Sequence, residues 1–181
     1  MKQNAFTLME LMIVIVIIGI LATVGMVMFG GQSEKAKIAA SKANLKTISK
    51  WLAVESTNVC SAKQGRGKNG KFFEDGNYQT FVKCSDGGTA LAYAASHYFH
   101  KNVIFKNPYT GENAIPDKAI SSSFNITRSG LETVSSSYVK IGEIMFFNLG
   151  GEEMSVVFSN IGDKNGSDKK EWVIIPGPSN F

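Results

Sequence analysis

The sequence is poor in the residues that most often carry catalysis or hold a metal. It contains two histidines and two cysteines in 181 residues. Neither Cys60 nor Cys84 has a second cysteine or a histidine at the spacing of zinc ligands. The nucleophile elbow GxSxG, the zinc motif HExxH and a Cys/His nucleophile pair are also missing from the sequence. We therefore expect no enzyme activity, no bound metal and no cofactor.

The net charge of the chain is small as well. The 19 lysines and arginines against 15 acidic residues give a formal net charge of +4. A domain dedicated to duplex binding concentrates more positive charge on one element. Nucleic acid stays open as a partner, but the composition does not indicate it first.

The two cysteines suit one disulfide in an oxidising compartment. A bond between Cys60 and Cys84 would close 24 residues and stabilise the fold by about 3 kcal/mol in the chain-entropy model. Two unrelated buried thiols in a cytosolic protein are the alternative. The function of the N-terminus decides whether the cysteines lie in an oxidising compartment or in the cytosol.

A long apolar run lies near the N-terminus. Of the 24 residues 6–29, 19 are apolar and only Glu10 is charged. As a helix this run would be about 36 Å long, enough to cross a hydrocarbon layer of about 30 Å. This run has three possible interpretations: a secretory signal, a permanent single-span anchor, or a helix that is used in two different environments. The run is too long for a signal, and a carboxylate in hydrocarbon needs a partner, so Glu10 also counts against a plain anchor.

The residues Ala5-FTLMELMIVIVIIGILA-Thr23 resemble the N-terminus of type IV pilins and pseudopilins. These proteins have a short hydrophilic leader, a small residue, Phe, and then Thr-Leu-x-Glu opening a long apolar helix. The resemblance implies that prepilin peptidase cuts between Ala5 and Phe6, removing residues 1–5, and that the new Phe6 amine is methylated. Ala5 stands where glycine is most common in the family. The resemblance also implies that Glu10 of one subunit meets the Phe6 ammonium of a neighbour and sets the register of a filament.

Residues 6–29 are then expected to form a transmembrane and filament-core helix, which residues 30–56 continue as an amphipathic helix. No proline or glycine interrupts residues 32–55. The helical spacing places four apolar residues on one face, Ile38, Leu45, Ile48 and Leu52, and four lysines on another, Lys35, Lys42, Lys46 and Lys50. The sequence therefore predicts one long helix whose apolar first half protrudes from the head.

Residues 57–181 are expected to form the globular head. We predict a disulfide-clamped loop over 57–88, a short helix over 89–101 with Leu91, Ala92, Ala95 and Phe99 inside, and an antiparallel β-meander over 138–176. A helix packed on an antiparallel sheet is an α+β fold and is also the pilin architecture. A Cys60–Cys84 disulfide would differ from the family's commonest form, in which the disulfide closes a C-terminal loop.

A glycine-rich basic segment resembles a phosphate-binding loop. Residues 65–71 spell GxxxxGK, but Phe72 replaces the serine or threonine that should hold magnesium, and no strand precedes the segment. The four cations of this region, repeated along a filament, could bind DNA or an anionic surface; they are Lys63, Arg66, Lys68 and Lys71. We favour a solvated turn over both functions.

Two further groups have the residue types of metal ligands. His97 and His100 are three residues apart on the predicted short helix, without a carboxylate or cysteine beside them in sequence. An oxygen-rich stretch lacks the glycine and glutamate of an EF-hand loop, and it contains Asp163, Asn165, Ser167 and Asp168. We expect ordinary histidines in the first case and a polar hairpin turn in the second.

These features together predict a structural subunit of a type IV pilus-like filament. It would be a single-pass inner-membrane precursor and then part of an extracellular filament, with roles in adhesion, twitching motility or DNA uptake. The expected partners are further copies of the chain, prepilin peptidase, the inner-membrane assembly machinery, the bilayer before assembly, and DNA or a host or abiotic surface afterwards. A type II secretion pseudopilin is one alternative. A single-span anchored binding protein with an uncut N-terminus is another.

Overall fold

The computed structural model describes residues 7–60, 87–116, 124–135, 137–149, 154–163 and 165–175. The helices are α1 (Leu8–Cys60), α2 (Gly87–Asn102) and α3 (Arg128–Thr133), and the strands are β1 (Phe124–Ile126), β2 (Ile144–Leu149), β3 (Met154–Asn160) and β4 (Lys170–Ile175).

Helix α1 runs without a break from the apolar run into the head, as predicted. Leu45, Ile48 and Leu52 are buried, Ile38 is half-buried, and the four lysines of the opposite face are exposed. The helix is described as far as Cys60, four residues beyond the predicted end at 56. The first breaker after it is Gly65, and the Thr57 hydroxyl donates a hydrogen bond to the Ala53 carbonyl at 2.8 Å within the last turns.

The head contains a four-stranded sheet in the order β1-β2-β3-β4. Strands β2, β3 and β4 form the predicted antiparallel meander, with Phe147 opposite Val156 and Phe158 opposite Trp172. Sequence analysis missed β1, which pairs parallel to β2, and the short helix α3 that follows it. Three residues are too few for a strand pattern to be recognised.

Helices α1 and α2 cover one face of this sheet, α1 over β3 and β4 and α2 over β2 and β3. The four predicted inner residues of α2 are all buried. Phe99 lies where the layers meet, because its ring centroid is 5.5 Å from that of Trp51 on α1 and 6.2 Å from that of Phe146 on β2. The molecule is an α+β fold in which a long N-terminal helix packs on a largely antiparallel sheet, consistent with the pilin fold.

Two buried asparagines fix the loops at one end of the sheet. Asn107 donates to the Ile141 carbonyl at 2.9 Å and accepts from the Tyr109 amide at 2.8 Å. Asn160, which is fully buried, donates to the Val139 carbonyl at 3.0 Å and accepts from the Lys169 amide at 3.1 Å. Each side chain therefore satisfies backbone groups of segments that have no strand partner of their own.

Candidate assembly segment

The apolar half of α1 leaves its side chains uncovered. From Leu8 to Met26 the large apolar side chains are 48–87% exposed, whereas those of the head core are at most 4% exposed. Among the helices that the structure describes, this one is long and apolar enough to cross a membrane. A helix that is apolar all round is stable only when lipid or other helices surround it. This segment therefore needs a second environment outside its own chain.

Thr7 and Glu10 form a capping box at the start of this helix. The Glu10 carboxylate accepts two hydrogen bonds on Oε2, from the Thr7 amide and the Thr7 hydroxyl, both at 2.9 Å. The Glu10 amide donates in return to Thr7 Oγ1 at 3.3 Å. Reciprocal bonds of this kind satisfy amides that have no partner inside the helix. Thr7 is the N-cap, and the helix begins at Leu8.

The carboxylate of Glu10 is thus partly satisfied within its own chain. Negative charge in the first turn also interacts favourably with the helix dipole. Oε1 makes no hydrogen bond to any residue that the structure describes. Sequence analysis gave Glu10 only an intersubunit partner and missed the intramolecular one, although Thr-x-x-Glu before an apolar run is itself a capping-box pattern.

The predicted processing residues Ala5 and Phe6 and the leader 1–5 lie outside the described residues. The capping box begins at Thr7, the second residue after the predicted cleavage site in sequence. A cut between Ala5 and Phe6 leaves the Thr7 amide intact, since that amide belongs to the Phe6–Thr7 peptide bond. The box can therefore persist in both the precursor and the mature chain.

The comparison with protein families agrees with a capped apolar helix at the N-terminus. Residues 1–26 match the model of the prokaryotic N-terminal methylation motif. The chain carries the type IV pilin and pseudopilin signature. No curated protein and no solved structure shows a significant match to the chain.

The type IV pilin signature carries consequences beyond its own residues. It implies processing by prepilin peptidase and assembly into a pilus-type filament. Proteins of the pilin-type motif family are structural. The signature and the exposed apolar half of α1 together fit a membrane-anchored precursor that becomes a surface filament.

The histidines of α2 lie in ordinary helical surroundings. His100 Nδ1 is 2.7 Å from the Ile115 carbonyl oxygen, and the ring of His97 packs against that of Tyr93 with centroids 4.4 Å apart. Burial lowers the pKa of His97, and the nearby His100 lowers that pKa further. The described ranges contain no group of three or more His, Cys, Asp or Glu side chains that could hold a metal ion.

The oxygen-rich stretch before β4 is a hydrogen-bonded turn, as predicted. Asp163 Oδ1 accepts from the amides of Asn165 and Ser167 at 2.8 and 2.7 Å. Asp168 Oδ1 accepts from Asn160 Nδ2 at 2.6 Å. These two carboxylates are therefore engaged in shaping the turn.

The remaining predicted sites lie outside the described residues, which omit 61–86. They are the Cys84 half of the predicted Cys60–Cys84 disulfide, the GxxxxGK segment 65–71, and the basic residues Lys63, Arg66, Lys68 and Lys71.

Proposed function

We propose that this chain is a pilin, the structural subunit of a type IV pilus-like filament. It is inserted in the inner membrane as a single-pass precursor, cut after Ala5, methylated on Phe6 and polymerised through its N-terminal helix into an extracellular filament. The observation that carries the proposal is the apolar half of α1, whose large apolar side chains from Leu8 to Met26 are exposed and whose only charged residue is Glu10.

The transfer from lipid to filament needs more than hydrophobic burial. Lipid tails are as apolar as the side chains of residues 11–29, so helix association in the membrane gains mainly from packing and polar contacts. Cleavage creates an ammonium at Phe6, and this cation has the same desolvation problem as the carboxylate of Glu10. Pairing the ammonium of one subunit with Glu10 of the next offsets both costs and fixes the axial offset between subunits.

The capping box makes this pairing compatible with an intact helix. Oε2 of Glu10 holds the helix start through Thr7, which leaves Oε1 to accept a hydrogen bond from the Phe6 ammonium of a neighbour. The same carboxylate then serves both bonds, so docking does not require the first turn to unwind.

The head supports a pilin over the alternative of a type II secretion pseudopilin. Major pseudopilins use C-terminal calcium loops, whereas here the turn before β4 engages its carboxylates with its own amides and with Asn160. We assign residues 30–60 of α1 as the helical support of the head and the chain after them as the head itself, with a Cys60–Cys84 disulfide. Adhesion, twitching motility or DNA uptake would be the output of such a filament.

Three variants test the assembly role. Glu10→Gln keeps a capping-box side chain but removes the charge, Glu10→Ala removes both, and Thr7→Ala removes the cap but keeps the charge. We expect both Glu10 variants to accumulate as processed membrane monomers without filaments, and Thr7→Ala to form filaments at reduced yield. Filaments are counted by electron microscopy of sheared cell-surface material. Normal filament yield from Glu10→Gln would refute the charge-pairing role.

Mass spectrometry of the purified wild-type chain tests the processing. We expect loss of residues 1–5, one methyl group on Phe6 and the loss of two hydrogens for a disulfide. An uncut N-terminus would favour the anchored binding protein. Correct processing without surface filaments, combined with a secretion defect in a deletion strain, would favour the pseudopilin.

A further inference from the structure

Strand β4 is an edge strand of the sheet that the structure describes. It is the last strand in the order β1-β2-β3-β4, and its outer side pairs with no strand within the described ranges. Its first two residues, Lys170 and Glu171, are charged, and the four after them are apolar. An edge of six residues presents unpaired N–H and C=O groups that can accept another strand.

A groove separates this edge from α1. It has an open volume of about 570 Å³. Its apolar lining includes Leu45 and Ala53 from α1 and Val173 and Ile175 from β4. An edge strand beside a helix, with an apolar groove between them, is the geometry in which an extended peptide adds to a sheet and places alternate side chains in the groove.

The helix wall of the groove carries three lysines, Lys42, Lys46 and Lys50. Lys42 pairs with Glu171 across the groove at 2.9 Å. Lys46 and Lys50 are exposed, and neither forms a salt bridge with an acidic side chain among the residues that the structure describes. The groove is therefore neutralised at the Lys42 end and positively charged along the rest of this wall.

The spacing of the lysines matches the repeat of a β-strand. Consecutive members of the row are four residues apart and so about 6.0 Å apart along α1. Side chains two residues apart on a strand lie about 6.6–6.8 Å apart. The wall from Lys42 to Ala53 is about 16 Å long, which corresponds to about five strand residues. Acidic side chains at alternate strand positions can thus meet successive lysines.

We propose that this groove binds an extended acidic segment of a partner protein, which adds to β4 as a fifth strand. The β4 backbone supplies the main-chain hydrogen bonds, and the apolar lining packs against the methylene groups of the side chains that face the groove. Lys46 and Lys50 select Glu or Asp at alternate positions of the segment. This site lies on the head and is separate from the apolar half of α1.

The test is fluorescence anisotropy with the full chain in detergent micelles. The probe is a labelled peptide, Thr-Glu-Val-Glu-Val-Glu-Thr, and a second peptide of identical composition has its three glutamates adjacent. A third version of the probe is N-methylated at alternate amides. The protein variants are the double substitution Lys46→Gln/Lys50→Gln and a matched control, Lys35→Gln/Lys106→Gln, which removes two exposed lysines outside the groove.

We expect the alternating peptide to bind the wild type and the control double variant equally, and the groove variant about tenfold more weakly. The peptide with adjacent glutamates and the N-methylated peptide should both lose most of the affinity. No binding of the alternating peptide would overturn the proposal, as would equal binding by the groove variant or by the N-methylated peptide. A chain truncated after Ile175 tests the remaining occupant. Binding only after this truncation would assign the groove to the chain's own residues 176–181 and refute the partner.

Discussion

The backbone of Gly142 lies directly against the side chain of Asn107. Gly142 has a φ of +82°, and a β-carbon at this position would overlap the Asn107 amide oxygen and carbon. Asn107 in turn holds the Ile141 carbonyl and the Tyr109 amide. The chain that leads into β2 and the turn at 107–111 are therefore locked together by one glycine and one buried asparagine.

Substitution of Gly142 by alanine should destabilise the head strongly. The positive φ alone costs about 1–2 kcal/mol, and displacing Asn107 leaves buried polar groups unsatisfied at about 1–3 kcal/mol each. We expect the free energy of unfolding to fall by about 3 kcal/mol or more. Gly111→Ala is the matched control, because Gly111 has a φ of +77° but no neighbouring atom within 4 Å of the position that a β-carbon would take. Urea unfolding followed by circular dichroism should show a much smaller loss for it, and equal losses would refute the role of Asn107.

Asn160→Ala should destabilise the β3–β4 connection. The substitution removes the side-chain partners of the Val139 carbonyl, the Lys169 amide and the Asp168 carboxylate in a buried site. We expect a loss of about 2–4 kcal/mol in the free energy of unfolding. Asn165→Ala, an exposed change in the same turn, should cost less than about 0.5 kcal/mol. Similar melting temperatures for the two variants would contradict this account.

Phe99→Ala should open a cavity between α1, α2 and the sheet. The Phe99 ring contacts Trp51 and Phe146 at once, so neither layer can close the gap alone. A loss of about 3–5 kcal/mol is expected. Val54→Ala, at a side chain on α1 that is 58% exposed, provides the control and should leave the thermal transition nearly unchanged. A small effect of Phe99→Ala would show that the two layers pack independently.

The stability of the head should fall as the pH drops below about 6.5. The pKa of His97 is lowered in the folded state, chiefly by burial and also by His100, so the unfolded chain binds the proton more readily. The unfolded state is therefore favoured as the pH falls from about 6.5 towards the folded pKa. Chemical unfolding at a series of pH values should show this slope in the wild type and a smaller slope in His97→Gln. An unchanged slope in the variant would assign the pH dependence to other groups.

The helices and the meander could be predicted because each has a periodic pattern longer than a few residues. The stripe of Leu45, Ile48 and Leu52 predicted both the course of α1 and the face that meets the sheet. The spacing of apolar residues predicted the inner face of α2 in the same way. The end of α1 was placed too early, because the chain has no breaker until Gly65.

The contacts that could not be predicted are those that join distant parts of the chain. Nothing near Asn107 or Asn160 in sequence shows that they are buried, because their partners Ile141 and Val139 are 34 and 21 residues away. The groove beside β4 likewise depends on which strand ends the sheet. At the N-terminus the pattern of residues 5–23 indicated the family, and its Thr7-x-x-Glu10 spacing is also that of a capping box, which was not predicted.

The unbroken course of α1 has a mechanical consequence. Because one helix contains both the assembly segment and the support of the head, a pull along a filament core reaches the head through covalent backbone and not through a linker. The load would act parallel to the layer formed by Leu45, Ile48 and Leu52, so these contacts must slide together and cannot peel apart one at a time. Contacts loaded in shear resist force better than the same contacts broken one after another. This geometry is suited to a fibre under tension.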